Sequence, residues 1–325
     1  MSNTKIYIYG LCNVFYDSYY IQGIKEIFSE IEYNVSRFPK LNQGTFAFIA
    51  LGNGKEIKII IDSRDTSEID LKALDWCDRY GKVNYNLDVL ISLDDKDKII
   101  AIGPSFGIKI WNFVETVFFA FFHLVKFKSK INNKREFVAN YWRQYKRLPL
   151  KDYFLSDSKN DTVFFISSIW KKEAATNNFR ALFMKECIKN KDLNFEGGFA
   201  PRNDGNNLNY DSLVYRERVL LKNYLSKIKD STFVFNTPAV LSCHGWKLAE
   251  FLALGKAIIS TPHKNKMPEL LEGNLHLVYV ENSDDIKEKI KILLEDSALK
   301  RKLEINARDY FERNLEPKVV INKLL

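Results

Sequence analysis

Apolar and polar positions along the first half of the chain predict a mixed series of short elements. Residues 5–9 alternate between polar and apolar and stop at Gly10, which predicts a strand closed by a loop. The stretch 11–20, LCNVFYDSYY, reads as loop, and 20–31 has helical spacing through Ile21, Ile24, Ile27, Phe28 and Ile31. Two apolar runs, 44–51 and 57–61, flank Gly52-Asn53-Gly54, a sequence suited to a tight hairpin, so this part of a sheet is expected to be antiparallel. A helix over 71–79, a short strand over 83–85, an acidic loop over 88–97 and a strand over 99–102 follow. Residues 110–130, IWNFVETVFFAFFHLVKFKSK, form an aromatic helix too short and interrupted to span a membrane. Two readings of it stay open: a buried helix of the first domain's core, or a helix lying in a bilayer interface. Residues 135–147 are basic and helix-prone, and Pro149 ends them.

The second half alternates more regularly. After a polar linker over 148–162, strands are expected at 163–167, 193–199, 232–236, 257–260 and 276–280. Helices are expected from 168–173 through Cys187, over 210–229, from Trp246, and over 284–294 and 297–311. Such alternation is the pattern of a doubly wound parallel sheet. The predicted domains are 1–150 and 151–311, with a tail over 312–325 that packs back on the first domain. In the helix from Trp246, Trp246, Ala249, Glu250, Ala253 and Leu254 share one stripe, and Gly255 is placed to end it in the left-handed conformation.

Composition narrows the class. The chain has 325 residues, 46% hydrophobic and 14% aromatic, enough for two sizeable cores. Cys12, Cys77, Cys187 and Cys243 show no CxxC or Cys/His spacing and read as reduced thiols in a cytoplasmic protein. The beginning of the sequence leads straight into a strand, so no signal peptide is expected. Net charge is +8, and residues 101–150 carry nine Lys and Arg against two Glu, nearly the whole excess. A block of that kind points to an anionic surface or substrate. It has no recognisable RNA-binding motif, so no nucleic-acid partner is expected.

The densest candidate chemistry lies in residues 231–262, STFVFNTPAVLSCHGWKLAEFLALGKAIISTP. The strand–loop–helix unit presents helix N–H groups where doubly wound sheets hold ligands, and a phosphate suits that place. Glu250 sits one turn inside the helix on its partly apolar face, where a carboxylate needs a polar partner such as a ribose diol. Lys247, in the first turn, opposes the helix dipole unless an anion is near. His244, beside Gly245, could donate to a diphosphate or to a donor sugar. Residues 62–65, DSRD, have the wrong spacing for a metal-binding DxD and read as a charged turn.

HGWKLAEFLALGKAIIST, followed by MPELL over 267–271, resembles the donor-site region of GT-B glycosyltransferases of the glycogen-synthase-like, family 4 or group 1, type. The resemblance is clear over 233–315 and faint before. It implies a GT-B fold, with two Rossmann-like doubly wound domains facing a cleft and the donor in the second. By that pattern Glu250 matches the glutamate that binds the nucleotide ribose. The family's second glutamate, eight positions earlier, is replaced here by Ser242. An Arg and a Lys past the first strand of the second domain hold the diphosphate in the family, which nominates Lys171, Lys172 and Arg180. Glu269 either reaches the donor sugar or caps a helix at Leu270, and Asp17 is a candidate acceptor-side base. No metal and no cofactor are implied beyond a nucleoside-diphosphate sugar as donor substrate.

The expected activity is therefore transfer of a hexose-like sugar to a glycan or lipid-linked acceptor in surface polysaccharide synthesis, with retention of configuration. The expected location is cytoplasmic, with peripheral contact at the inner face of an anionic membrane. The alternatives are a GT-B-fold nucleotide-sugar epimerase and a non-enzymatic basic module binding membrane or nucleic acid.

Overall fold

The structure is a computed structural model and describes residues 4–52, 54–91 and 93–325. The chain forms two compact units. One runs to Asp152 and includes 265–269 and 313–325, and the other comprises 153–264 and 270–312.

In the first unit the elements run β1 (Lys5–Tyr9), α1 (Val14–Ile27), β2 (Glu30–Asn34), β3 (Thr45–Gly52), β4 (Lys55–Asp62), α2 (Leu71–Trp76), β5 (Arg79–Lys82), α3 (Leu87–Leu90), β6 (Ile99–Ala101), α4 (Phe113–Lys126) and α5 (Lys134–Tyr145). The sheet order is β2-β1-β3-β4-β5-β6. Its pairs are parallel except that β3 runs antiparallel to both β1 and β4. The β3–β4 hairpin pairs Gly52 with Lys55, and Gly54 takes φ +73°; Asn53 lies outside the described residues. This unit is thus wound with one reversed strand.

Several boundaries differ from the sequence expectation, among them the helix expected over 71–79, which ends at Trp76. Helix α1 begins at Val14 because the Asn13 side chain accepts from Phe15 N at 3.1 Å and caps it, so the expected loop over 11–20 is mostly helix. Ile31 belongs to β2, not to that helix. Strand β5 sits at 79–82 instead of 83–85, where its backbone pairs with β4.

Helix α4 is oriented against the buried-core reading. Its buried residues are Thr116, Ala120 and His123, while Val114, Val117, Phe118, Phe121, Phe122 and Val125 face solvent. The C-terminal helix α11 (Pro317–Lys323) belongs to this unit and packs on α1. The Tyr19 hydroxyl donates to the Leu315 carbonyl. A Cβ at Gly23 would lie 2.3 Å from the Pro317 oxygen, so only glycine permits this approach.

The second unit holds β7 (Thr162–Ser168), α6 (Ala174–Lys189), β8 (Asn194–Ala200), α7 (Leu221–Asp230), β9 (Val234–Asn236), α8 (Trp246–Ala253), β10 (Ile258–Ser260), β11 (Val278–Tyr279), α9 (Ser283–Glu295) and α10 (Ser297–Asn314). Strands β7 and β8 pair in parallel, as do β9 with β10 and β10 with β11. Thr232 N donates to Thr162 O at 2.7 Å, and Phe165 and Phe235 rings meet at 5.9 Å, so β9 lies beside β7. A parallel bridge from Phe199 to Val214 adds a third-strand remnant beyond β8. The hydrogen-bonded ladders are β8-β7 and β9-β10-β11; set side by side, with the remnant outermost, they follow the sequence 3-2-1-4-5-6, the doubly wound order that reverses between its first and fourth strands. The bridge also corrects the helix expected over 210–229. Tyr215 N bonds to Phe199 O at 2.8 Å, sheet pairing takes this stretch, and helix starts only at Leu221. The core beneath is aromatic, with Phe183 and Phe235 stacked at 4.4 Å.

Candidate active site

The reversal point lies at the C-terminal ends of β7 and β9, and residues of α6, α7 and α8 converge there. Arg180, from α6, is buried and joins the two strand ends. It donates through Nε to Thr237 Oγ1 at 2.8 Å, and through its two terminal nitrogens to Ser168 O at 2.8 Å and Pro238 O at 3.2 Å. Burial pulls its pKa down to about 10, with Glu173 opposing. The guanidinium brings positive charge to the site, while its donors hold protein carbonyl and hydroxyl oxygens.

Helix α8 rises from the loop after β9. It ends as the sequence predicts: Gly255 takes φ +58°, its N–H bonds to Leu252 O, and Lys256 N bonds to Phe251 O, a Schellman closure. At the other end Gly245 is the N-cap, and no side chain caps the first turn. A Cβ at Gly245 would touch only Ala239 Cβ, at 3.7 Å. The half-buried Lys247 turns inward, so that its ammonium donates to the Ile166 carbonyl and lies 5.1 Å from the Phe165 ring centre. Burial, then the Arg180 charge, push this lysine down to about 7, and Glu250 opposes them. Glu250, one turn on, is 5% exposed and accepts from the Tyr224 hydroxyl at 3.3 Å. Two cationic side chains and one carboxylate therefore share a low-dielectric site, where each charge acts more strongly than in water.

The loop over 239–245 has a constrained shape. Leu241 and Ser242 take φ +53° and +60°, a conformation that costs a non-glycine residue about 1–2 kcal/mol each. Ala239 N bonds to Cys243 O at 2.8 Å, and Leu241 N bonds to Glu173 Oε1 at 2.8 Å. Strained backbone held in this way is common at ligand-binding turns. His244 is buried, with its ring 5.5 Å from that of His263. The Asn236 amide donates to His263 Nε2 at 3.3 Å, which leaves Nδ1–H for the Tyr279 hydroxyl at 3.2 Å. Burial, then His244, lower the His263 pKa to about 3, so this imidazole stays neutral.

No family model and no curated protein matches the chain. Solved structures do match. The C-terminal domain of a group 1 family glycosyl transferase, LpcC, from Francisella tularensis is 18% identical, with 50% of this chain and 95% of that one covered and a TM-score of 0.36. A glycosyltransferase from Rickettsia africae is 12% identical, with 79% and 66% covered and a TM-score of 0.46. The UDP-GlcNAc 2-epimerase from Neisseria meningitidis is 14% identical, with 78% and 62% covered and a TM-score of 0.43. The match spans about half of TarM, 46% of its length.

The structure thus gathers Arg180, Ser242, His244, Gly245, Lys247 and Glu250 around one sheet edge. Lys171 and Lys172 are exposed in the turn after β7, where Lys171 pairs with Asp204 at 2.8 Å. Glu269 is exposed and groups with the first unit, and no helix begins at Leu270 for it to cap. Asp17 lies in the first turn of α1, also in the first unit, and is buried. Burial lifts its carboxyl to about 7 despite a backbone hydrogen bond from Asn13 that lowers it. In the 62–65 string, burial would raise Asp62, but hydrogen bonds from Arg64, Lys82 and Tyr80 outweigh it and lower the pKa. Two cations neutralise that carboxylate, which leaves no excess negative charge to draw a metal.

Sequence reasoning missed His263 and Tyr224. His263 follows β10 by three residues, on the sheet edge that the doubly wound pattern already marked, and that position was its available signal. Tyr224 had no comparable signal, because its contact with Glu250 depends on how α7 lies beside α8.

Proposed function

We propose that this chain is a GT-B glycosyltransferase that binds a nucleoside-diphosphate sugar at the β7–β9 end of its second unit. The observation that carries the reading is the presence of buried Glu250 and inward-turned Lys247 on one helix turn of α8. Glu250 would accept from the ribose hydroxyls. Lys247, the open first turn of α8 and His244 would face the diphosphate. The sequence resemblance over 233–315 supports the same assignment for Glu250.

In the reaction, an acceptor hydroxyl oxygen bonds to the anomeric carbon as the bond from that carbon to the diphosphate oxygen breaks. The electron pair stays on the nucleoside diphosphate, and the hydroxyl proton goes to a base, for which Asp17 is the first-unit candidate. Fixed positive groups lower the barrier by meeting the charge that develops on the leaving diphosphate. The reading requires no metal or cofactor. We further propose a glycan or lipid-linked acceptor on the cytoplasmic side of a membrane, in surface polysaccharide synthesis, with retention of configuration.

The test is calorimetric titration with a panel of nucleoside diphosphates, followed by incubation of the matching labelled nucleotide sugar with glycan and lipid-linked acceptors. Label transferred to an acceptor supports the reading. Conversion of the free donor to its epimer would replace it with epimerase chemistry. Failure to bind any nucleotide would leave a binding module.

A further inference from the structure

Helix α4 is amphipathic in the reverse sense for a helix packed on a soluble domain. Val114, Val117, Phe118, Phe121, Phe122 and Val125 recur at i, i+3, i+4, i+7, i+8 and i+11, which makes one stripe, and each is 46–74% exposed. The opposite stripe faces the protein and is mostly small or polar, with Phe119 stacked on buried Trp111 at 4.8 Å. There Thr116 and Ala120 are buried, and His123 Nδ1 shares a 2.7 Å hydrogen bond with the Tyr141 hydroxyl of α5. That hydrogen bond and the Phe119–Trp111 stack hold this side against the protein, and the apolar stripe is turned outward. Phe113 meets Tyr145 at 5.8 Å, and Tyr145 meets Trp142 at 5.3 Å, which continues the aromatic surface onto α5.

The rim of this surface is basic. Exposed Lys128, Lys130, Lys134 and Arg135 lie at one end, and Lys146 stands 4.4 Å from the Trp142 ring centre at the other. The two acids on the helices are occupied: Glu115 closes the capping box with Asn112, and Glu136 pairs with Arg143.

We propose that the α4 stripe and the Trp142–Tyr145 end of α5 form a membrane-docking face that lies in the headgroup layer of an anionic bilayer. The apolar stripe would enter the acyl boundary while the lysines meet lipid phosphates, the arrangement of an interfacial amphipathic helix. Charge complementarity selects this occupant. A second copy of the chain would set one basic rim against another, and a nucleic acid would leave the valines and phenylalanines of the stripe in water. The inference is independent of the sugar-transfer reading and would hold if no sugar were moved.

The experiment is sedimentation of the full chain with vesicles of phosphatidylcholine alone and of phosphatidylcholine mixed with phosphatidylglycerol. Binding to the mixed vesicles at low salt, little binding to the neutral ones, and weakening as salt rises are expected. The stripe residues are exposed, so Phe118→Ser/Phe121→Ser should keep the wild-type melting temperature and lose about tenfold or more in vesicle affinity. Lys128→Glu/Lys130→Glu should remove the preference for anionic lipid. Vesicle binding that survives the serine pair, or is absent at low salt, overturns the proposal. So does a dimer, seen by sedimentation velocity, that the serine pair dissolves without any vesicle binding in the parent, or RNA binding that the serine pair leaves intact and vesicles do not match.

Discussion

If Lys247 meets the donor diphosphate, binding must be coupled to a proton. Without ligand its pKa stands at about 7, so about half of the molecules carry the ammonium at that pH. A diphosphate within hydrogen-bond reach favours the charged form and raises the pKa toward the ordinary 10.5. The sign follows. This contribution to affinity is fully present below the unliganded pKa and falls about tenfold per pH unit above it, until the liganded pKa is reached. A rise of two units would mean about a hundredfold loss in affinity from well below pH 7 to well above pH 9, or about 2.7 kcal/mol in all, of which about 25-fold falls between pH 7 and 9. A terminal phosphate has its own second ionisation near pH 6, so the ligand contributes little slope in that window. Calorimetry at pH 8 in two buffers of different ionisation enthalpy should count close to one proton taken up per nucleoside diphosphate bound. Lys247→Met should abolish both the uptake and the slope. Affinity that stays level from pH 7 to 9, or uptake that persists in Lys247→Met, would refute the placement of this ammonium against the phosphates.

Three further outcomes can be measured. Glu250→Gln should weaken nucleoside-diphosphate binding about tenfold or more, since a hydrogen bond to a charged group is worth roughly 1.5–3 kcal/mol, and unchanged affinity in a folded variant would remove Glu250 from the site. Asp17 has its folded pKa raised to about 7 from 3.8, so its ionisation opposes folding increasingly from about pH 4 to 7; Asp17→Asn should flatten stability across that window and raise the melting temperature at pH 8. Gly255→Ala must place a Cβ 2.6 Å from Leu155 Cδ1 at φ +58°, so a loss of at least about 1–2 kcal/mol in denaturant unfolding is expected, and an unchanged midpoint would deny the constraint.

The second unit was readable because parallel strands buried on both faces are continuous apolar runs, and Gly255 marks its turn by a conformation other residues avoid. Glu250 was readable for a related reason: a carboxylate on an apolar stripe is conspicuous. The stretch after Tyr210 was misread because Leu213 and Leu220 mimic helical spacing, while the pairing that wins, Tyr215 with Phe199, is made by backbone. The direction of α4 was not readable at all. Periodicity separates its two stripes, but which one faces inward depends on the Tyr141 hydroxyl that meets His123 and the Trp111 ring that meets Phe119. Arg180 was nominated for phosphate by its place after a strand. Its engagement with Ser168, Thr237 and Pro238 depends on loop shapes that no residue pattern encodes.

The seating of α11 on α1 has a consequence for biosynthesis. Tyr19 finds its acceptor 296 positions later, at Leu315. Chains are made from the N-terminus at about 5–20 residues per second, so α1 leaves the ribosome well before its cover. Through that interval the ground beside Gly23 waits for Pro317, Val320 and Ile321, all of them buried in the finished fold. The unit begun first is finished last. Loss of residues 317–323 would therefore injure the part of the unit built around α1, made some three hundred residues earlier.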